Sequence, residues 1–443
     1  MSKPSTLARR LGPFDATMIV MGGIIGSGIF MNPYVVARQV QTPALILFVW
    51  IAGGMVALAG SFIYSELASR RPNVGGQYAY LRDGIHPLPA FLYGWALLLV
   101  IQSGGMAAVA LTFARYFREL VQIEAADWLI AVATLSMLTL INCIGVWAGS
   151  TTQSILMILK IAGILLLVFF GFFFGKKAAG PAAQSPPVSL DFLTTLGAAM
   201  VPVLFAYGGW QTSGFVAGEM KNPRRDLPVG LLVGVSGVIA LYLAVNAVCL
   251  YVLGPHGLAQ TNTPASAVMR AALGDRGGMM IAAVIAISTL GFLSQGMLTA
   301  PRVYFAMAED GLFFRKVASI HPRTRVPVLA ILLQGIAAVI VALSGKYEQI
   351  LNYVISADFL FFGLTGLALI LIRKSDRNAG ESTALQGLFK VPGHPVTTIF
   401  FIAVSWLIVV NTLYKYPFDS IIGFALILLG VPVYYFWMKH ARK

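Results

Sequence analysis

Two stretches of this 443-residue chain carry residue types suited to chemistry at the backbone rather than at side chains. One reads Gly22-Gly23-Ile24-Ile25-Gly26-Ser27-Gly28-Ile29-Phe30, the other Phe205-Ala206-Tyr207-Gly208-Gly209-Trp210-Gln211-Thr212-Ser213-Gly214. Glycine clusters inside apolar runs let a helix open and free its N–H and C=O groups. The amides of Gly26, Ser27 and Gly28 would then head a new helix, whose N-terminus attracts an anion through its amides and dipole. Ser27 adds a hydroxyl donor. The carbonyls left before the breaks, Met21 and Ile24 in the first stretch and Phe205, Ala206 and Gly208 in the second, would accept from a cation. Anion and cation sites side by side suit a zwitterion such as an α-amino acid. Phe205, Tyr207 and Trp210 flank the second stretch. Ordinary aromatic packing is the alternative for each, and Phe205, at the edge of the break, is read as a lid with Tyr207 and Trp210 as pocket walls.

The charged candidates are few. Lys160 lies roughly 14 Å along a helix that starts near Thr151, at about 1.5 Å per residue. That depth is close to a bilayer midplane, where a lysine is expensive and is paired or functional. A fixed ammonium reaching the first break, near Gly22 and Gly23, would replace a sodium ion there, and a structural tether is compatible with that role. Glu66, Glu219 and Arg302 are candidates for an inner gate, with a solvated interfacial carboxylate as the alternative for the two acids. Asp358 sits inside an apolar run as a proton site, a vestibule wall or a partner of neighbouring backbone, and the residues leave all three open. No metal-ligand spacing, phosphate-binding loop or catalytic constellation is present, so no metal, no cofactor and no enzyme is expected. His86, His321 and His394 are each followed closely by proline and read as turn residues. Cys143 and Cys249 read as small buried apolar residues.

The elements that must position these residues follow from composition. Hydrophobic residues make up 58% of the chain and charged ones 11%, against about 25% charged in a soluble domain. A soluble enzyme is thereby excluded. The net charge of +14 reads as basic cytoplasmic loops and not as a nucleic-acid surface. Twelve apolar runs reach spanning length, near 14–37, 44–68, 88–115, 127–146, 151–175, 192–218, 229–253, 279–308, 328–345, 350–372, 396–414 and 418–438. The polar, basic residues 1–13 precede a run without a small-residue cleavage site, so that run is a first membrane helix and not a removable signal. With both termini inside, 20 of the 31 lysines and arginines face the cytoplasm, 9 face out, and Lys160 and Arg302 lie within helices. That bias supports the orientation. The glycine clusters fall in the first and sixth runs, the first helices of two successive groups of five. Interrupted helices at matching places point to the binding site of an inverted-repeat carrier, with a small-residue packing face at Gly22 and Gly26 as the alternative.

These residues resemble the amino acid–polyamine–organocation superfamily, and within it the L-type amino acid transporters and their bacterial relatives. The resemblance covers nearly the whole chain. It is carried by Ile24 to Phe30 (IIGSGIF), Tyr64-Ser65-Glu66-Leu67 followed by Gly75-Gly76-Gln77-Tyr78, and Phe205 to Trp210 (FAYGGW) followed by Gly218-Glu219-Met220. Ala300-Pro301-Arg302 followed by Asp310-Gly311, His321-Pro322 with Pro327, and Gly430-Val431-Pro432-Val433-Tyr434 extend it. It implies an all-α integral membrane protein with a LeuT-like five-plus-five inverted repeat. The cytoplasmic N-terminus would be 1–13, the repeats 14–175 and 192–372, the two further helices 396–438 and the cytoplasmic C-terminus 439–443, with helices one and six unwound at midplane. It implies alternating access, with the amides of Ser27 and Gly28 on the substrate carboxylate and the carbonyls of Ile24, Phe205 and Gly208 on its amino group. Phe205 would be the outer gate. Lys160 matches the family's helix-five lysine, which implies sodium independence.

The reading is therefore a secondary carrier of neutral L-amino acids in the bilayer of the cytoplasmic (inner) membrane, working by exchange or facilitation. The alternative is a proton-coupled permease or a carrier of cationic amino acids or amines. The chain departs from the larger members at Gln211-Thr212, at Gly218 where an acid is usual, and at Asp358 where relatives look amide-like. Short termini and the lack of a conspicuous linking cysteine suit a lone bacterial subunit with no glycoprotein heavy chain.

Overall fold

The computed structural model describes residues 11–71, 75–144, 150–178, 189–321, 326–344, 346–378 and 387–441. Helix α1 (Pro13–Ile24) stops for three residues and resumes as α2 (Gly28–Val40), and the pair is bent by 41°. The next helix, α3 (Pro43–Arg70), starts where the Thr42 hydroxyl accepts from the Leu45 amide and Pro43 occupies the first turn. A short α4 (Gln77–Gly84) leads to α5 (Pro87–Ala96), capped by His86 Nδ1 accepting from the Leu88 amide at 3.1 Å, as expected of a turn histidine. A π-helical turn, Leu97–Ile101, joins α5 to α6 (Gln102–Val121), and α7 (Asp127–Ile144) and α8 (Ser150–Phe174) complete the first half.

In the second half, α9 (Leu190–Tyr207) ends at Gly208 and Gly209 and is followed by a 3-10 segment, Trp210–Glu219. The long α10 (Pro223–Gln260) and α11 (Pro264–Thr299) turn at Gly254 and Gly274, both with positive φ. Then come α12 (Pro301–Glu309), α13 (Val328–Ala342), α14 (Tyr347–Asn378), α15 (Val396–Lys415), α16 (Pro417–Leu428) and α17 (Gly430–Ala441). Among the described residues no strand forms, and one isolated bridge pairs Leu11 with Met220.

Ten of the described helices are long and apolar enough to cross a membrane, and α1 with α2 makes an eleventh if the bent pair is one span. The ninth expected run, 328–345, forms the 15-residue α13. At 1.5 Å per residue that is about 22 Å, less than a hydrocarbon core of about 30 Å. Phe418, Phe173 and Val396 are 82%, 73% and 73% exposed, a surface suited to hydrocarbon rather than water. Inside, α10 packs on both α1 and α3, α11 packs on α6 and α8, and α2 packs on α9. That arrangement brings the interruption of α1–α2 against that of α9.

Candidate functional site

The two interruptions touch backbone to backbone. Gly209 has φ +106°, and a Cβ on it would lie 2.0 Å from the Gly23 carbonyl oxygen. A Cβ on Gly28 would lie 2.5 Å from the Ala206 Cα. Only glycine allows so close an approach at these two positions, and the positive φ at Gly209 excludes an ordinary side chain on its own. The Gly26 amide donates to the Ile24 carbonyl at 2.8 Å, so its N–H is engaged within the break. The amides of Ser27 and Gly28 belong to the start of α2, where no preceding turn supplies a partner. The Ser27 hydroxyl is buried and has no hydrogen-bond partner among the described residues.

A cavity of about 90 Å³ opens between the interruptions. Its walls include Gly23, Ile24, Gly26, Ser27 and Gly28 from the first break and Phe205, Gly208, Gly209, Gln211 and Thr212 from the second. The π turn and α6 contribute Ile101 and Gln102, α11 contributes Phe292 and Gln295, and α14 contributes Val354, Ile355 and Asp358. A π turn of this kind widens one turn of a helix and recurs at functional sites.

Two side chains hold the first break in place. Lys160, buried on α8, donates from Nζ to the Ile25 carbonyl at 3.0 Å and lies 5.6 Å from the Phe292 ring centroid. It therefore reaches the three-residue interruption, at Ile25 rather than near Gly22 and Gly23, because Ile25 lies past the last helical residue of α1. Tyr242 of α10, fully buried, places its hydroxyl 3.1 Å from the Ile24 carbonyl and 3.2 Å from the Ala206 carbonyl. One hydroxyl thus ties the ends of both breaks together. Nothing in the sequence distinguishes Tyr242 from other tyrosines in apolar runs.

The remaining expected residues separate into groups. Phe205 and Gly208 line the cavity, whereas Ala206 is turned away and its carbonyl faces Tyr242. Tyr207 and Trp210 are not among the cavity-lining residues. Tyr207 packs edge-on to Trp50 at 5.7 Å, and Trp210 packs against Tyr64 at 4.6 Å and Phe362 at 5.1 Å. Aromatic packing, the alternative reading of those two, describes their positions. Asp358 lines the cavity with 5% exposure, and its Oδ2 accepts from Gln211 Nε2 at 3.4 Å. Glu66 is fully buried and not a solvated carboxylate. It accepts from Arg70 at 2.7 Å, from Arg373 of α14 through two nitrogens, and from the Val391 amide at 2.7 Å. Asp376 completes this cluster with Arg70 and Arg71. Arg302 lies in the first turn of α12. Glu219 ends the 3-10 segment, and its side chain, like Pro322 of the His321-Pro322 motif, is outside the described residues.

The described residues form a bundle of apolar helices with a small, mostly apolar cavity at paired helix breaks. The family model described as amino acid permease matches residues 11–437. The chain belongs to that family, within the amino acid–polyamine–organocation superfamily, and is a transporter-family protein rather than an enzyme. It is 30% identical over 433 residues to the serine/threonine exchanger SteT of Bacillus subtilis, covering 97% of each chain. It is 30% identical over 451 residues to the human large neutral amino acids transporter small subunit 2, covering 99% of this chain and 82% of that one. It is 27% identical over 458 residues to the human b(0,+)-type amino acid transporter 1, covering 99% and 90% respectively.

Proposed function

We propose that the chain is a sodium-independent secondary carrier that exchanges neutral L-amino acids across the cytoplasmic membrane by alternating access. The observation that carries this reading is the pair of helix interruptions packed against each other around one small cavity. The amides of Ser27 and Gly28, the Ser27 hydroxyl and the dipole of α2 hold the substrate carboxylate, with Gly26 shaping the turn. The carbonyls of Ile24, Phe205 and Gly208 take the ammonium, and that of Ala206 acts through Tyr242. Phe205 closes over the ligand from the edge of the second break. Lys160 supplies at Ile25 the fixed charge that a sodium ion would otherwise bring, so no ion gradient is needed to assemble the site.

The fold reading that goes with this function counts α1–α2 as the first crossing and α13 as the ninth, twelve in all. Residues 14–175 and 192–372 form the two inverted repeats, both termini are cytoplasmic, and 396–438 adds two helices. The cluster of Glu66, Arg70, Arg373 and Asp376 closes one end of the bundle, with Glu219 and Arg302 as further gate residues. The chain works without a heavy-chain partner. The names of the relatives, which include an exchanger and amino acid transporters, support the substrate class and the exchange mode.

The test is uptake of a radiolabelled amino acid panel into sodium-free proteoliposomes, empty or preloaded with unlabelled amino acid. Uptake that needs preloading is the expected result. Equal uptake into empty vesicles would replace exchange by facilitation. Uptake driven by an imposed pH gradient would favour the second reading, a proton-coupled permease or a carrier of cationic amino acids or amines, for which Asp358 in the cavity is the supporting observation.

A further inference from the structure

We propose that Ser103, Gln334 and Tyr304, none of which lines the cavity, are positioning residues that hold the π turn Leu97–Ile101 and so set which face of α6 forms the cavity wall. Their effect on transport rests on the carrier reading of the same cavity, whereas their effect on the shape of the wall does not.

A π turn is a rare departure from the α-helix. Nothing in the local residues asks for one here, since Leu97, Leu98, Leu99, Val100 and Ile101 include no glycine or proline. The cause lies in the partners of the backbone. In an α-helix the Gln102 amide would bond the carbonyl four positions back, that of Leu98. It bonds the Leu97 carbonyl instead, and the Leu98 carbonyl receives the Ser103 hydroxyl. A serine hydroxyl has one proton and can turn it to any acceptor within reach. Here Gln334 of α13 fixes its direction. The Gln334 Nε2 donates to Ser103 Oγ at 2.9 Å, which leaves the Ser103 proton for Leu98. Tyr304 of α12 donates to Gln334 Oε1, which keeps the amide turned that way. All three side chains are buried. Three hydrogen bonds thus run in one direction, from α12 through α13 to the turn.

A π turn holds one residue more than an α turn, and one residue corresponds to about 100° of rotation at 3.6 residues per turn. With the turn in place, α6 shows Gln102, Gly105 and Val109 to the cavity. The Gln102 side chain lies across Gly296 of α11, where a Cβ would be 2.9 Å from its Nε2. Without the Ser103 hydroxyl, the Leu98 carbonyl is open to the Gln102 amide. The turn then closes to an α turn, and Gln102 rotates off the wall. Gln334 and Tyr304 act on the same wall through Ser103, without touching the cavity themselves.

The experiment reads the wall directly. Gln102→Cys is placed in the full chain together with Cys143→Ala and Cys249→Ala, and the protein is reconstituted in proteoliposomes. Labelling of the new thiol by a water-soluble methanethiosulfonate is timed with and without Ser103→Ala, Gln334→Met or Tyr304→Phe. The labelling rate is expected to fall about fivefold or more in Ser103→Ala and Gln334→Met, and by less in Tyr304→Phe, which removes the far end of the series. Thr139→Val removes a buried hydroxyl of α7 that contacts Leu135 and Met297 but not the turn, and is expected to leave the rate unchanged. In exchange assays with Gln102 intact, the same three variants raise the concentration for half-maximal exchange and keep the maximal rate. An unchanged labelling rate in Ser103→Ala overturns the proposal, as does an equal fall in Thr139→Val or a failure of Gln102→Cys to label with Ser103 intact. A loss of maximal rate alone is the mark of a merely structural role and overturns it too. Where Gln334→Met does not fold, Ser103→Ala and Tyr304→Phe, each of which deletes one oxygen atom, carry the comparison. Labelling needs no transport, so a chain that moves no amino acid would overturn the carrier reading and leave the labelling result to decide this one.

Discussion

The break at residues 25–27 and the break at residues 208–209 share a backbone device and differ in the side chains that hold it. Each interrupts a helix at glycine, and each presses against the other so closely that a Cβ on Gly28 or Gly209 would overlap the opposite strand of backbone. Around the first break stands a cation, Lys160, on the Ile25 carbonyl. Around the second stands Gln211, whose Oε1 accepts from the Gly209 amide and whose Nε2 donates to Asp358. The difference separates two tasks. In the proposed function, recognition of a zwitterionic head falls to backbone groups of the two breaks, while the side chains around them hold the breaks in place.

Breaking the comparison at its most rigid point gives the largest effect. Gly209→Ala places a methyl group against the Gly23 carbonyl in a left-handed backbone conformation, for a destabilisation of about 3 kcal/mol or more. Thermal unfolding in detergent is expected to show a clear loss, and an unchanged midpoint would mean the two breaks can separate freely. Lys160→Ala comes next. It leaves the Ile25 carbonyl without its donor, and transport is expected to fall by more than about tenfold while the protein stays monodisperse. Unaltered exchange would reduce Lys160 to a spectator. Tyr242→Phe removes the hydroxyl shared between the breaks, an effect of about 1 kcal/mol, read as a roughly fivefold rise in the concentration needed for half-maximal exchange. A change confined to stability would make Tyr242 a packing residue alone. The smallest expected effect is Phe205→Ala, which opens the lid and lowers the exchange rate about threefold while equilibrium binding persists. Equal losses in binding and rate would place Phe205 in the binding site proper.

Much of this arrangement was legible in the residues. Apolar run length located the helices, and glycine spacing located both interruptions. Lys160 announced itself by depth, since a lysine midway along an apolar helix requires a partner. What was not legible depends on the direction a side chain takes after a break. Phe205 and Trp210 are only five residues apart in sequence, yet the 3-10 geometry after Gly209 turns Trp210 into the aromatic core while Phe205 faces the cavity. Tyr242 was hidden because a tyrosine in an apolar run usually packs by its ring, and only the fold brings two carbonyls to its hydroxyl. Glu66 stood at a helix end, where a solvated carboxylate is the common case; Arg373, 307 positions away, and the Val391 amide bury it instead. The ninth run looked long enough to span, but α13 stops at Ala342, with Leu343 and Ser344 in a turn.

In the proposed function, the paired breaks read both charges of an amino acid head through the backbone. The direct measurement is inhibition of labelled amino acid exchange in sodium-free proteoliposomes by alanine, alaninamide and propionate. Alanine keeps both charges, alaninamide lacks the carboxylate, and propionate lacks the ammonium. Inhibition by alanine is expected, with at least about a hundredfold weaker inhibition by either of the others, since charge-assisted hydrogen bonds contribute roughly 1.5–3 kcal/mol each. Inhibition by alaninamide or propionate at the concentration that suffices for alanine would contradict it.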